Sequence, residues 1–227
     1  MIKIITACDN SKTHAELAEI CKFSIKKYCR LHRLAYDFHT ITETEVPAAW
    51  YKIQLLRKEL ENKKTRFCLW LDADSLIRNP DFDIRSLIRE KKALYLAEDC
   101  NGVNTGVMLW KNTRLNKRLL KQIWKARHIT KHPWAEQEAL RLLILKNYEG
   151  IQDRVEWIPQ NIFNAYDYAL YGRTMESGQV NENSFIVHFP GLDFEIRKQH
   201  MEKYLHEAWK PTSFQLALSR MRERFRK

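Results

Sequence analysis

Two aspartates, Asp72 and Asp74, stand one residue apart directly after the most continuous apolar run of the chain, residues 67–71. Carboxylates at the end of a buried strand can converge on a hard divalent cation, which in turn binds phosphate oxygens. A second pair with the same spacing, Asp81 and Asp83, follows a proline and no strand, which is typical of a surface turn that starts a helix. The first pair is therefore the candidate metal site, and the second pair is its internal control.

Polar and small residues in three other places could complete such a site. Asn104 and Gly106 lie between two strand-like runs, where small residues let a ligand approach the backbone. Glu136 and Gln137 open an apolar helical pattern, although a glutamate in a first turn also complements the helix dipole. His188 ends a strand-like run beside a Pro-Gly turn, which places its imidazole well for binding a metal.

Hydrophobic periodicity predicts the elements that would position these residues. Strands are predicted at residues 2–7, 36–41, 66–71, 93–97, 107–110, 155–158 and 185–188. Helices are predicted at residues 14–32, 48–61, 81–88, 115–127 and 134–146. This alternation predicts an α/β fold with a mostly parallel central sheet and helices on both faces. In such sheets ligands bind at the carboxyl ends of the strands, where the candidate residues fall.

We expect one domain over residues 1–211, followed by a basic segment over residues 212–227. Apolar residues recur in that segment at helical spacing, namely Phe214, Ala217, Leu218, Met221 and Phe225. A basic amphipathic helix of this kind is suited to an anionic membrane surface or a partner protein, and equally to packing on its own domain.

The composition is that of a globular protein with an excess of positive charge. Of the 227 residues, 44% are hydrophobic and 30% are charged, and Lys plus Arg outnumber Asp plus Glu by 39 to 28, for a net charge of +11. That balance suits an anionic partner, such as a nucleic acid, a phosphorylated cofactor or an acidic membrane, or else a solvated basic surface.

The cysteines and the apolar runs of the sequence indicate the cellular compartment that we expect for the protein. The 5 cysteines include no C-x-x-C pair, which argues against a disulfide framework or a zinc knuckle and for a reducing compartment. No apolar run approaches the ~20 residues that span a bilayer. The strand-like pattern that starts at Ile2 leaves no room for a signal peptide, so we expect a cytoplasmic protein.

Taken in chain order, six motifs resemble the galactosyl-/xylosyltransferase family, which has the GT-A fold. This family includes fungal α-galactosyl and mannosyl transferases and plant xyloglucan xylosyltransferases. The resemblance runs from about residue 2 to residue 191. The motifs are Ala49-Trp50-Tyr51-Lys52, Leu69-Trp70-Leu71-Asp72-Ala73-Asp74, Asn104-Thr105-Gly106-Val107-Met108-Leu109, Glu136-Gln137, Phe163-Asn164-Ala165-Tyr166 and Val187-His188-Phe189-Pro190-Gly191.

The resemblance implies a glycosyltransferase that moves a hexose or pentose from a nucleotide diphosphate sugar to a glycan or other hydroxyl acceptor. It favours a UDP-linked galactose, glucose or xylose, with GDP-mannose as the alternative donor. It implies Asp72, Asp74 and His188 as ligands of Mn²⁺, with Mg²⁺ as the alternative ion. The residues that it places at the donor are Ala7, Cys8, Asp9, Lys52, Asp72, Asn104, Gly106 and Gly191. The first three of these would hold the nucleoside.

The resemblance also implies retention of the donor's anomeric configuration, with Glu136 and Gln137 near the reacting sugar. Either side chain could stabilise an oxocarbenium-like centre, and Glu136 could instead act as a nucleophile. A covalent intermediate and same-face attack both remain open on these grounds.

Two departures from the family pattern stand out. The eukaryotic members usually carry a membrane anchor and stem, which this sequence does not show, so we expect a bacterial or viral relative that works on the cytosolic side. A lysine often follows the His-Phe-x-Gly turn closely in the family, whereas the next basic residues here are Arg197 and Lys198. The position of the group that neutralises the diphosphate is therefore open, and Lys52, Arg197 or Lys198 could add positive charge there.

Two other functions are compatible with parts of the sequence. A nucleic-acid-binding protein would account for the positive charge and the aromatic residues, but the basic residues form no single tract beside a recognised motif. A catalytically inert nucleotide-sugar binder would keep the fold, but it would not need the set of Asp72, Asp74 and His188.

Overall fold

The computed structural model describes residues 1–42, 45–128, 134–174 and 177–209. Its strands are β1 (Ile2–Asp9), β2 (Ala35–Ile41), β3 (Phe67–Leu71), β4 (Ser75–Ile77), β5 (Leu94–Asp99), β6 (Gly102–Lys111), β7 (Val155–Trp157) and β8 (Ile186–His188). Its α-helices are α1 (Lys12–His32), α2 (Ala48–Glu61), α3 (Arg114–Lys125), α4 (Ala135–Leu145), α5 (Gln160–Phe163) and α6 (Phe194–Ala208). The predicted helix over 212–227 and the domain boundary at 211 lie outside the described residues.

Six strands form the central sheet in the order β2-β1-β3-β6-β5-β7. All of its neighbouring strands are parallel except β6, which is antiparallel to both β3 and β5. The prediction of an α/β fold with a mostly parallel sheet is therefore confirmed. Strands β1 and β3 end at the same edge of the sheet, because Ile5 is in register with Trp70.

Helices cover both faces of the sheet, as predicted. Apolar side chains of α1 and α6 pack on one face with Tyr28, Phe185 and Phe189 at the centre of the core. Helices α2, α3 and α4 pack on the other face, where Trp50 and Trp110 are buried. Each large apolar side chain buried in this way contributes about 1.5–3 kcal/mol. A strand covered on both faces reads as a continuous apolar run, which is why β3 is readily predicted.

The second aspartate pair behaves as the sequence predicts. Asp81 and Asp83 are exposed, and Asp83 caps a short 3₁₀-helix, Ile84–Leu87, by accepting a hydrogen bond from the backbone N–H of Arg85. This helix is shorter than the predicted helix over 81–88, because it makes only one tight turn before the chain extends again at Ile88.

The interpretation of residues 104–106 as a loop between two strands is wrong. All three lie inside β6, which begins at Gly102 and continues through them to Lys111. The turn between β5 and β6 comes earlier, where Gly102 has φ of +97°, a conformation that favours glycine. A register shift between Tyr95 and Ala97 of β5 accompanies it.

The strand that ends at His188 does not belong to the central sheet. It is β8, which pairs antiparallel with β4 in a separate two-stranded sheet. Neither β4 nor α6 is predicted from the sequence, because β4 has only three residues and α6 buries only Met201 and Tyr204. The tight turn that contains Asp72 and Asp74 connects β3 of the central sheet to β4 of the two-stranded sheet, so the two sheets meet at these aspartates.

Within the described residues, no helix has both the length and the apolar character that crossing a bilayer requires. The five cysteines are all free, and Cys100 is the exposed one.

Candidate active site

Asp72, Asp74 and His188 converge at the carboxyl end of β3. The two aspartates occupy the turn between β3 and β4, and His188 is in register with Ser75, the residue after Asp74. One ligand atom from each of the three side chains lies within 4.8 Å of the others. The sequence-predicted metal ligands are therefore brought together, through the β4–β8 pair and not through the central sheet.

The ring of His188 is fixed at both nitrogens. Its Nδ1 lies 2.9 Å from Oδ1 of the buried Asn164, and its Nε2 lies 3.2 Å from Oδ1 of Asp74. When Nδ1 carries the hydrogen and donates it to Asn164, the Nε2 lone pair faces the Asp74 carboxylate. A cation can bridge two electron-pair donors that face each other in this way. Metal-bound histidines usually also make a hydrogen bond through the other ring nitrogen, as His188 does through Nδ1. The three side chains thus fit a divalent cation.

The Asp74 carboxylate is partly buried and lies beside two basic groups. Burial raises its pKa, but His188 and Arg197 outweigh this effect and hold the pKa below its ordinary value. Nη1 of Arg197 lies 3.1 Å from Oδ2 of Asp74. Of the two basic residues that follow the Pro-Gly turn, Arg197 therefore reaches the site, whereas Lys198 pairs with Glu16 at 2.7 Å.

Gly106 lies against both parts of the metal site. Its carbonyl oxygen accepts a hydrogen bond from the backbone N–H of Asp72 at 2.8 Å. A β-carbon at this position would lie 2.2 Å from Cε1 of His188. The glycine is needed here because the imidazole passes directly over the backbone of β6, not because the chain turns.

Lys52 forms a buried ion cluster with two carboxylates. Its Nζ lies 2.9 Å from Oδ1 of Asp72 and 3.1 Å from Oε1 of Glu136. Burial alone would lower the pKa of Lys52, but the two carboxylates raise it above its ordinary value, so the side chain is a cation. The indole N–H of Trp70 also donates to Oδ1 of Asp72, at 2.6 Å. Lys52 and Trp70 together fix the orientation of the first metal-site aspartate.

Glu136 and Gln137, in the first turn of α4, contact Thr105 of β6. Oε1 of Glu136 accepts a hydrogen bond from the Thr105 hydroxyl at 3.0 Å, and Oε1 of Gln137 accepts one from the Thr105 backbone N–H at 3.1 Å. Glu136 is only 3% exposed, and burial raises its pKa even though Lys52 opposes the shift. The two side chains therefore differ in their surroundings, because the carboxylate of Glu136 is enclosed by protein and lies beside the Lys52 ammonium group.

Two cavities are lined by residues that the sequence places at the site. The β1 cavity, of about 220 Å³, is lined by the end of β1, by Lys52 and the aspartates, and by His14 and Arg197. Ala7, Cys8 and Asp9, predicted to hold a nucleoside, all line it. The tyrosine cavity, of about 620 Å³, is lined by Tyr166, Tyr168 and Tyr171 among others, and the ring of Tyr166 also meets the imidazole of His188. Asn104 and Gly191 line this second cavity, so the residues predicted at the donor divide between the two, and Gln137, predicted near the reacting sugar, also lines it.

The side chain of Asn104 is occupied by protein partners. Its Nδ2 donates to Asp99 and to the hydroxyl of Tyr166, both at 2.9 Å, and its Oδ1 accepts from the Gly106 N–H at 2.8 Å. Asn104 therefore holds β6 and Tyr166 in place beside His188.

Several site residues have no assigned role at the level of sequence. Asn164 stands in one of the family-like motifs, but its contact with His188 depends on a hydrogen bond from the His188 N–H to the carbonyl of Ala165. His14 lies 2.8 Å from Asp9 at the mouth of the β1 cavity, one turn into α1. The only local feature of the sequence that points to His14 as a site residue is its position five residues after Asp9, at the junction of a strand and a helix.

Sequence comparison finds similarity to glycosyltransferases. The galactosyl transferase GMA12/MNN10 family matches residues 1–95 and 88–199. The probable α-1,6-mannosyltransferase MNN10 of Saccharomyces cerevisiae is 25% identical over 217 residues, which cover 74% of this chain and 54% of the relative. An uncharacterised α-1,2-galactosyltransferase of Schizosaccharomyces pombe is 23% identical over 222 residues, covering 79% of this chain and 57% of the relative. The chain thus spans about half the length of these curated relatives.

Solved structures with a similar fold are also glycosyltransferases. One is involved in the glycosylation of the major capsid of PBCV-1; it has a TM-score of 0.69 and 18% identity, covering 89% of this chain and 98% of that one. The galactosyltransferase LgtC, solved in complex with donor and acceptor sugar analogs, has a TM-score of 0.54 and 11% identity, covering 93% of this chain and 98% of that one. These likenesses confirm the GT-A fold.

Proposed function

Because this chain belongs to the galactosyl transferase GMA12/MNN10 family and is a glycosyltransferase, we propose that it transfers a hexose or pentose from a UDP-sugar to an acceptor hydroxyl with retention of configuration. The observation that carries the proposal is the convergence of Asp72, Asp74 and His188: the two aspartates line the β1 cavity, and His188 contacts Tyr166 on the wall of the tyrosine cavity. One cavity would take the nucleotide and the other would open toward the reacting sugar.

Asp72, Asp74 and His188 would hold a divalent cation, for which we propose Mn²⁺. Mixed oxygen and nitrogen ligation suits Mn²⁺ better than Ca²⁺, which prefers oxygen alone. When bound, such an ion stabilises the negative charge that develops on the departing diphosphate. Asn164 orients the imidazole, and Lys52 and Trp70 orient Asp72, so that the ligand atoms are held before any ion arrives.

The β1 cavity would receive the nucleoside and the diphosphate. Ala7 and Cys8 present the end of β1, and Asp9 is held by His14 and by the backbone N–H of Ser11. Arg197, which lies both on the cavity wall and beside Asp74, would add positive charge next to the diphosphate. The enclosed Lys52 supports this role less well, because Asp72 and Glu136 already share its ammonium group.

At the reacting sugar, the geometry supports Gln137 over Glu136 as the group that contacts substrate. Gln137 lines the tyrosine cavity, whereas Glu136 is enclosed and lies beside Lys52. An amide oxygen at this position would stabilise an oxocarbenium-like centre without forming a covalent bond. Glu136 would then act through Lys52 as a positioning residue for Asp72.

The test is a screen of donor hydrolysis in the presence of Mn²⁺, with UDP-galactose, UDP-glucose, UDP-xylose and GDP-mannose as substrates. We expect one UDP-sugar to be hydrolysed in preference to the others, and UDP plus Mn²⁺ to raise the melting temperature. A rise in melting temperature with single-stranded DNA and none with UDP, together with no hydrolysis of any donor, would contradict the proposal.

A further inference from the structure

A further cavity lies at the edge of the central sheet opposite the metal site. Lys111 ends β6 in register with Phe67, the first residue of β3, whereas Asp72 follows the last residue of β3. With a rise of about 3.3 Å per residue, β3 separates the two edges by about 15 Å. The cavity has a volume of about 360 Å³, within the range of cavities that bind small ligands, and it shares no lining residue with the β1 cavity or the tyrosine cavity.

Basic side chains outnumber acidic ones on the wall of this cavity, which we call the basic cavity. The basic residues on the wall are Lys91, Lys92, Lys111, Arg118 and Arg154, and the acidic residues are Glu90 and Glu149. Arg118 and Glu149 neutralise each other, because the guanidinium Nε donates to both carboxylate oxygens, at 2.8 and 2.7 Å. The carboxylate of Glu156 lies 3.8 Å from Nζ of Lys92. Four cations therefore remain against two carboxylates, which leaves an excess of positive charge.

Three of these cations are held by neutral backbone carbonyls. Nζ of Lys111 donates to the carbonyl of Glu90 at 3.1 Å, and Nζ of Lys92 donates to that of Val155 at 2.7 Å. Nη1 of Arg154 donates to the carbonyl of the residue before Lys92, at 3.2 Å. A carbonyl fixes the position of a cationic group without cancelling its charge. Because an ammonium group has three N–H donors and a guanidinium group has five, each cation keeps donors beyond the one that its carbonyl takes up.

We propose that the basic cavity is an oxyanion site, separate from the metal site, and that it binds a phosphate group. A phosphate dianion has several acceptor oxygens, so it can accept hydrogen bonds from Lys92, Lys111 and Arg154 together and offset their charge. The inference goes beyond the proposed transfer and uses none of its residues. Two sources could present such a group, a free phosphorylated compound or the headgroup of an anionic lipid, and the test has an arm for each.

Titration calorimetry with sodium pyrophosphate measures binding of the phosphate group itself. The solution contains a chelator, so that no metal ion holds the diphosphate, and an ionic strength of about 0.15 M, at which nonspecific attraction is screened. We expect the wild type to bind pyrophosphate and Lys92→Gln/Lys111→Gln to bind it at least about tenfold more weakly, because two charge-assisted hydrogen bonds are lost. Lys26→Gln/Lys203→Gln removes the same charge from exposed positions on α1 and α6, and it should bind like the wild type.

A second double variant separates loss of the site from loss of the fold. Lys92 and Lys111 are partly buried, whereas Lys91 and Arg154 are exposed. Lys91→Gln/Arg154→Gln should therefore unfold in urea like the wild type and still bind pyrophosphate about threefold more weakly or worse. Donor hydrolysis should be unchanged in all these variants, because the basic cavity lies at the other edge of the sheet.

Sedimentation with vesicles distinguishes the two sources. If phosphatidylglycerol vesicles, compared with phosphatidylcholine vesicles, retain the wild type but not Lys92→Gln/Lys111→Gln, the phosphate group is a lipid headgroup. Equal sedimentation of the two proteins identifies a free phosphorylated compound as the source. Two results would overturn the site: no binding of pyrophosphate by the wild type, or equal affinities of Lys92→Gln/Lys111→Gln and Lys26→Gln/Lys203→Gln for pyrophosphate.

Discussion

A β-carbon built on Gly106 would lie 2.2 Å from Cε1 and 2.7 Å from Nδ1 of His188. The imidazole can occupy its place beside Asp74 only because residue 106 has no side chain. Gly106 therefore supports the metal site because it leaves room for the imidazole of His188.

Replacing Gly106 by Ala should displace His188 and weaken Mn²⁺ binding about tenfold or more, as loss of a ligand's support does. Isothermal titration of Mn²⁺ in the presence of UDP would measure this effect. In the double variant Gly106→Ala/His188→Ala, binding should be no weaker than in His188→Ala alone, because the clash has been removed. Additive losses in the double variant would mean that Gly106 acts in some other way.

Replacing Asn164 by Ala should raise the dissociation constant for Mn²⁺ by about 10- to 100-fold, because the Nδ1 hydrogen of His188 loses its acceptor. Asn164→Asp keeps an acceptor oxygen and should lose less. The exposed Asn183 supplies the control, since Asn183→Ala should bind Mn²⁺ like the wild type. If Asn164→Ala and Asn183→Ala bound the ion equally well, the proposed role of Asn164 would be wrong.

Replacing Lys52 by Met should lower the free energy of unfolding by about 3 kcal/mol, because the buried carboxylate of Glu136 and the partly exposed carboxylate of Asp72 lose the cation that they share. Adding Glu136→Gln should restore part of this loss. Lys198→Met removes a solvent-exposed pair with Glu16 and should cost much less, because water screens that pair. Urea denaturation would compare the variants, and equal losses for Lys52→Met and Lys198→Met would contradict the buried-cluster account.

The elements of the fold that can be predicted from the sequence are those whose residue patterns are local in the chain. Helix α2 runs over 48–61 as predicted, because Pro47 precedes an amphipathic pattern that ends before Asn62. By contrast, β4 has three residues, and its partner β8 comes much later in the chain, so no local pattern identifies the pair. Residues 104–106 are misread because their small side chains look like a turn, although the strand continues through them.

In the candidate site, too, some features can be predicted from local sequence, whereas others depend on contacts between distant residues. Asp72, Asp74 and His188 are recognisable because each carries a ligand atom, the aspartates directly follow a buried strand and His188 ends one. The contacts that orient them are long-range: Lys52 meets Glu136 only when α2 and α4 pack on the same face, and Asn164 meets His188 only when Ala165 pairs with Val187. Residue type and spacing predict the ligands, but tertiary packing decides which neighbours hold them.

The product should keep the donor's anomeric configuration. The family resemblance implies retention, and the position of Gln137 on the wall of the tyrosine cavity is compatible with it. Proton NMR of freshly formed product would show the configuration from the coupling constant of the anomeric proton. A product with cleanly inverted configuration would contradict the retaining mechanism.

The measurement that tests the central claim most directly is Mn²⁺-dependent UDP binding and donor hydrolysis by the wild type, Asp74→Ala and Asp81→Ala. Asp74→Ala should lose turnover and metal-dependent UDP binding, Asp72→Ala and His188→Ala should weaken both, and excess chelator should stop the wild type. Asp81→Ala, in the exposed second pair, should behave like the wild type. Full activity in excess chelator, or wild-type turnover by Asp74→Ala, would contradict the account.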